Sequence, residues 1–97
     1  MFRNKEKLTQ IVRECVNSYD PERLIAMGCP ADEYEPEIKE IADSMFHGMS
    51  REQCWILVCN VMSWHFGDHT EPVLYWRKRR ELAEIIVSRL PEVDREP

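Results

Sequence analysis

Between Ser50 and Gly67 the chain carries an apolar run that admits few folds. Cys54, Trp55, Ile56, Leu57, Val58, Cys59, Val61, Met62, Trp64 and Phe66 leave only a narrow polar stripe of Gln53, Asn60 and Ser63. A helix apolar nearly all round is normally covered on several sides. This segment, 51–66, is therefore expected to be the central helix of an all-α core. Its β-branched residues favour a strand locally, but its length and end signals favour helix. Ser50 and Gln53 form a capping-box pair, and Gly67 is placed to stop the helix. A chain of 97 residues holds one such core rather than two.

The remaining apolar residues supply helices to surround it. Leu8, Ile11, Val12, Cys15, Val16 and Tyr19 follow the three-and-four spacing of one helical face, which predicts a helix over 4–19. Asp20 and Pro21 offer a cap and a first-turn proline, and Gly28 a stop, so a second, short helix is expected between them. Pro36 opens a third, with Ile38, Ile41, Ala42, Met45 and Phe46 on its inner face and Gly48 beyond it. After Thr70-Glu71-Pro72 a last helix runs to about Leu90, with Leu74, Tyr75, Leu82, Ile85, Ile86 and Leu90 directed at the core. The reading is a compact single-domain bundle of about five helices, three long and two short, ending in a frayed tail over 91–97.

Charge narrows the partners. The net charge is −5, which disfavours nucleic acid. The acidity is concentrated: Asp20, Glu22, Asp32, Glu33, Glu35, Glu37, Glu40 and Asp43 face only Arg23 and Lys39, a local balance of −6. Arg77-Lys78-Arg79-Arg80 is the one basic run, and four consecutive helical residues point to every side rather than forming a stripe along a groove. An intramolecular role opposite the acidic 20–43 segment suits it. No stretch approaches the ~18 apolar residues of a membrane span. MFRNKEKLTQ at the N-terminus has no apolar signal core, so a reducing cytoplasm and four free thiols are expected.

The residue types of catalysis and metal binding do not fall into working patterns. Cys54, Cys59, His65 and His69 occur in the order of a two-Cys, two-His zinc site. Positions 54 and 59 of one helix, however, lie roughly 140° apart and converge poorly on one ion. Cys54 sits in a first helical turn without an identifiable base. The carboxylates of Asp32-Glu33-Tyr34-Glu35-Pro36-Glu37 read as a helix-start cluster near the positive end of the dipole, without a calcium loop's ligand spacing. No catalytic residue, metal or cofactor is assigned. Trp76, offset from the core face of the last helix, and Trp64, His65 and Phe66 at a helix end offer, with Met45, Phe46 and Met49, the makings of a sticky patch.

The segment Asp20-Pro21-x-x-Leu24, followed by Gly28-Cys29-Pro30-x-Asp32-Glu33-Tyr34-x-Pro36-Glu37-Ile38, resembles the signature of the YugE-like family, small bacterial helical proteins of unknown function. The likeness covers about 20 residues closely. It implies a short helical bacterial protein, some family relatives being of an immunity type beside toxin genes, and it brings no catalytic residues. Read physically, the motif is a helix–loop–helix corner in which the Tyr34 ring packs under the loop and its hydroxyl finds a backbone partner. The expected function is a non-enzymatic protein-interaction module, with a homodimer as one arrangement it allows. Its acidic corner, Asp32, Glu33, Tyr34, Glu35 and Glu37, would meet a basic protein partner. A small metal-binding or enzymatic domain built on Cys54, Cys59, His65 and His69 is the alternative.

Overall fold

A computed structural model describes residues 4–30, 32–67 and 72–94. They form four α-helices and a closing 3-10 helix: α1 (Lys5–Tyr19), α2 (Glu35–Ser44), α3 (Arg51–Phe66), α4 (Pro72–Arg89) and the 3-10 helix Leu90–Asp94. No strand occurs among the described residues, and none of their helices is long and apolar enough to cross a membrane.

α1 and α3 begin where side chains satisfy the open N–H groups that every helix start exposes, whereas α2 has Pro36 in its first turn and no side-chain cap. Asn4 accepts from the Lys7 amide at 3.0 Å ahead of α1. Ahead of α3 the capping box is complete, with Ser50 Oγ accepting from Gln53 N at 3.1 Å and Gln53 Oε1 from Ser50 N at 2.8 Å. The core is drawn from one face of each helix: Leu8, Ile11, Val12, Cys15 and Val16 of α1, Ile38, Ile41 and Ala42 of α2, Cys54, Val58, Val61 and Met62 of α3, and Leu82, Ala83 and Ile86 of α4.

The short second helix expected after Asp20 is absent. Residues 20–28 form a chain of turns, because Asp20 and Arg23 both adopt left-handed backbone angles, φ 52° and 59°. Asp20 is the C-cap of α1, not the start of a new helix. A left-handed Arg is strained by on the order of 1–3 kcal/mol, which Arg23 sustains with bonds from its amide to Asp20 O and to its carbonyl from Met27 N.

Three other expectations change. First, among the described elements α3 lies beside α2 and α4 and keeps an open outer face, on which Ile56 is 57% and Trp64 82% exposed. Apolar content alone does not say how many neighbours a helix has. Second, the buried arc of α4 is Arg79, Leu82, Ala83 and Ile86, which leaves Leu74 and Ile85 exposed. Third, the chain after Pro91 does not hang free. It continues in the 3-10 helix, where Val93 is buried against the core, and Arg89 forks onto Glu92 at 3.0 Å while reaching Glu14 of α1 at 2.8 Å. Residues 95–97 lie outside the described residues.

Candidate functional site

The corner between α1 and α2 is organised around the fully buried Tyr34. Its hydroxyl donates to Asp20 Oδ1 at 2.6 Å and accepts from the Glu22 amide at 2.9 Å. The same Asp20 carboxylate accepts from the amides of Ile25, at 3.2 Å, and Ala26, at 2.9 Å. One side chain thus caps the turn that its own backbone begins. Burial pushes the Asp20 carboxyl up, but the hydrogen bonds from Tyr34 and from the Ala26, Ile25 and Leu24 amides outweigh it, and the group ends below its ordinary range. The Tyr34 hydroxyl moves upward, through burial and the adjacent carboxylate. Its ring meets Phe66 of α3 edge-on, with centroids 6.1 Å apart. The backbone partner expected for this hydroxyl is present.

The acidic residues of the corner separate into two groups. Most are engaged from within. Arg13 of α1 grips Glu35 with Nε and Nη2 at 2.8 and 2.9 Å. Lys5 reaches Asp43 at 2.7 Å. His65, at the end of α3, sits between Glu40 at 2.6 Å and Glu37 at 3.5 Å. Glu22 lies 3.9 Å from Arg79. Asp32 and Glu33 form the second group: both are exposed, and among the described residues neither makes a side-chain hydrogen bond or ion pair. Of the five residues read as the partner site, the structure therefore places Asp32 and Glu33 outside, Glu35 half-buried in an ion pair, and Tyr34 and Glu37 inside.

Glu37 is the anomaly among them, a carboxylate only 3% exposed. Burial raises its pKa, and the attraction of His65 offsets this only in part. A carboxyl raised in the folded chain contributes stability that is complete below the ordinary carboxylate range and is lost as pH rises through the raised value. Glu37→Gln is therefore expected to gain stability relative to the native chain between about pH 4 and pH 7. Urea denaturation of both proteins across that interval checks it, and parallel pH dependences would refute it.

The basic run points to every side, as its spacing predicts. Arg77 is exposed, Lys78 lies over the Tyr75 ring at 5.2 Å, and Arg80 stacks on Trp55 at 5.2 Å while pairing with Glu84 at 3.5 Å. Arg79 is 1% exposed, donates from Nη1 to Ser63 Oγ at 2.9 Å, and turns its Nη2 toward Glu22. One member of the run thus does face the acidic segment from inside the fold.

The thiols are all free. Burial pushes Cys54 up to about 11, so it is protonated at neutral pH, and also raises Cys15 and, against the charge of Arg79, Cys59. Protonated thiols are poor nucleophiles and poor metal ligands. Among the described residues no three His, Cys, Asp or Glu side chains are placed to hold a metal ion; His69 lies outside them.

Sequence reasoning missed the counter-charges Arg13 and His65 and the burial of Arg79. Arg13 lies off the apolar face of α1, and nothing local ties it to a residue 22 positions away. His65 carries no mark of its two carboxylate neighbours. Comparison of the chain with protein-family models, with curated proteins and with solved structures finds no match.

Proposed function

We propose that this chain is a non-enzymatic protein-interaction module, of an immunity or regulatory type, whose acidic corner receives a basic protein partner. The observation that carries this reading is the pair Asp32 and Glu33, exposed and, among the described residues, unpaired on a corner whose backbone is held by the Asp20–Tyr34 bonds. Loops held on a rigid scaffold are common seats of recognition. Tyr34, Glu35 and Glu37 serve this surface from behind, by fixing its shape rather than by touching the partner. The resemblance of the Asp20–Ile38 segment to the YugE-like family points the same way, to a small bacterial protein working in the cytoplasm.

Charge steers such an encounter and makes it sensitive to salt. The test is affinity capture of the tagged chain from its own host at low and at high salt, beside the double variant Asp32→Asn/Glu33→Gln. A stoichiometric protein retained by the native chain at low salt, and lost from the variant or at high salt, is the expected result. Equal recovery on both chains would remove the acidic corner as the contact.

A further inference from the structure

The outer face of α3 carries a second surface, unrelated to the acidic corner. Gln53, Ile56, Asn60 and Trp64, with the capping Gly67, recur at spacings of three and four residues, and all five are exposed. At 3.6 residues per turn they lie within an arc of about 80°. None carries a charge, in a chain where 32% of residues do. Solvent-facing Trp and Ile on one regular helix face are the composition of a contact surface.

The order of these residues is self-complementary. Ile56 stands four positions before Asn60 and Trp64 four positions after it; Gln53 stands seven before and Gly67 seven after. A two-fold axis passing Asn60 at right angles to α3 therefore brings Trp64 onto the partner's Ile56, and Ile56 onto the partner's Trp64. It sets Gln53 opposite the partner's Gly67, which has no side chain to obstruct it. On the axis, Asn60 meets the partner's Asn60. A carboxamide has both donor and acceptor, so two of them can exchange hydrogen bonds with each other. A single Asn in an otherwise apolar helix seam is a known means of fixing register.

We propose that this stripe is the interface between two copies of the chain, packed antiparallel across α3. The five residues of the stripe carry no charge, so two chains of net charge −5 place no carboxylate directly on the seam, and charges farther than about 8 Å away are largely screened at physiological salt. The contact is isologous, each copy offering the same patch. Trp64 supplies at most roughly 150–250 Å², a modest part of the ~800 Å² per partner of a standard interface. The dimer is accordingly reversible and concentration-dependent.

Sedimentation equilibrium of the full chain from about 1 µM to about 1 mM tests it across the range where such affinities fall. The mass is expected to rise from 11.6 kDa toward twice that value. Because an isologous pair loses two contacts for each substitution, Ile56→Ala is expected to weaken association at least about tenfold, and Trp64→Ala by more. Asn60→Asp places two carboxylates on the axis, so it is expected to prevent dimerisation at neutral pH and to permit it again in acid. All three positions are exposed, and unchanged thermal unfolding of the variants at low concentration separates loss of association from loss of fold. A chain that stays monomeric throughout, or a dimer indifferent to Trp64→Ala and Asn60→Asp, would overturn the proposal.

Discussion

Tyr34→Phe, the loss of one oxygen atom, is expected to lower the free energy of unfolding by about 2–3 kcal/mol. The hydroxyl gives a charge-assisted bond to Asp20 at 2.6 Å and takes one from the Glu22 amide. Phe leaves both groups short of a partner in a region that water does not reach freely. Tyr34→Ala adds a cavity where a fully buried ring had been, for about 4 kcal/mol in all. Small domains are stable by only about 5–15 kcal/mol, so the Ala variant approaches the limit of folding. Urea titration followed by circular dichroism measures both. A Phe variant within about 0.5 kcal/mol of the native chain would show that the two bonds of the Tyr34 hydroxyl are of no energetic consequence.

Arg79 is expected to give the second large effect, out of line with its neighbours in the basic run. Arg79→Ala removes the bond to Ser63, opens a cavity, and strips the Glu22 carboxylate of the cation 3.9 Å away. Breaking a buried ion pair from one side costs about 3–5 kcal/mol. Arg77→Ala, two residues earlier and exposed, is expected to stay within about 0.5 kcal/mol. The pair as a whole is a different matter. Among the described residues Arg79 Nε and Nη2 find no hydrogen-bond partner although buried, so desolvation is incompletely repaid. Arg79→Met with Glu22→Gln, which fills the space and removes both charges, should recover most of the loss. Chemical denaturation of the single and double variants decides it; a double variant no better than Arg79→Ala would mean that the charges themselves, not the volume, hold the turn to α4.

What the sequence disclosed, and what it withheld, follows the range of the forces involved. Helix positions and the Ser50–Gln53 box rest on contacts three or four residues apart, and such spacing is printed in the chain. The Tyr34 corner was readable for a similar reason, since Asp20, Tyr34 and the turn between them are close in sequence. The 20–28 turn was misread because Pro21 and Gly28 are also the punctuation of a short helix, and nothing local foretells a left-handed Arg23. Partners brought together by the fold left no trace: Arg13 with Glu35, His65 with Glu40, Arg79 with Ser63. The number of helices around α3 was hidden too, because an apolar residue carries the same mark whether a neighbour covers it or not. Ile56 therefore reads as core and is surface, while Trp64 is marked as a patch residue only by its place at a helix end. For the acidic corner the charges were legible, but not which of them are already answered from within.

The bonds at Asp20 also bear on how tightly the corner can hold anything. A loop that must be ordered on binding loses part of its contact energy to lost backbone freedom. Here the Ile25 and Ala26 amides, the Glu22 amide and the Tyr34 hydroxyl are tied to one another before any partner arrives. The ordering of that turn is done once, by folding, and Asp32 and Glu33 directly precede Tyr34, with the Glu33 amide bonded to Pro30 O and the Asp32 carbonyl to the Glu35 amide. Under the proposed function, a basic partner that meets Asp32 and Glu33 would lose less of its contact energy to ordering this turn than it would on a floppy acidic tail.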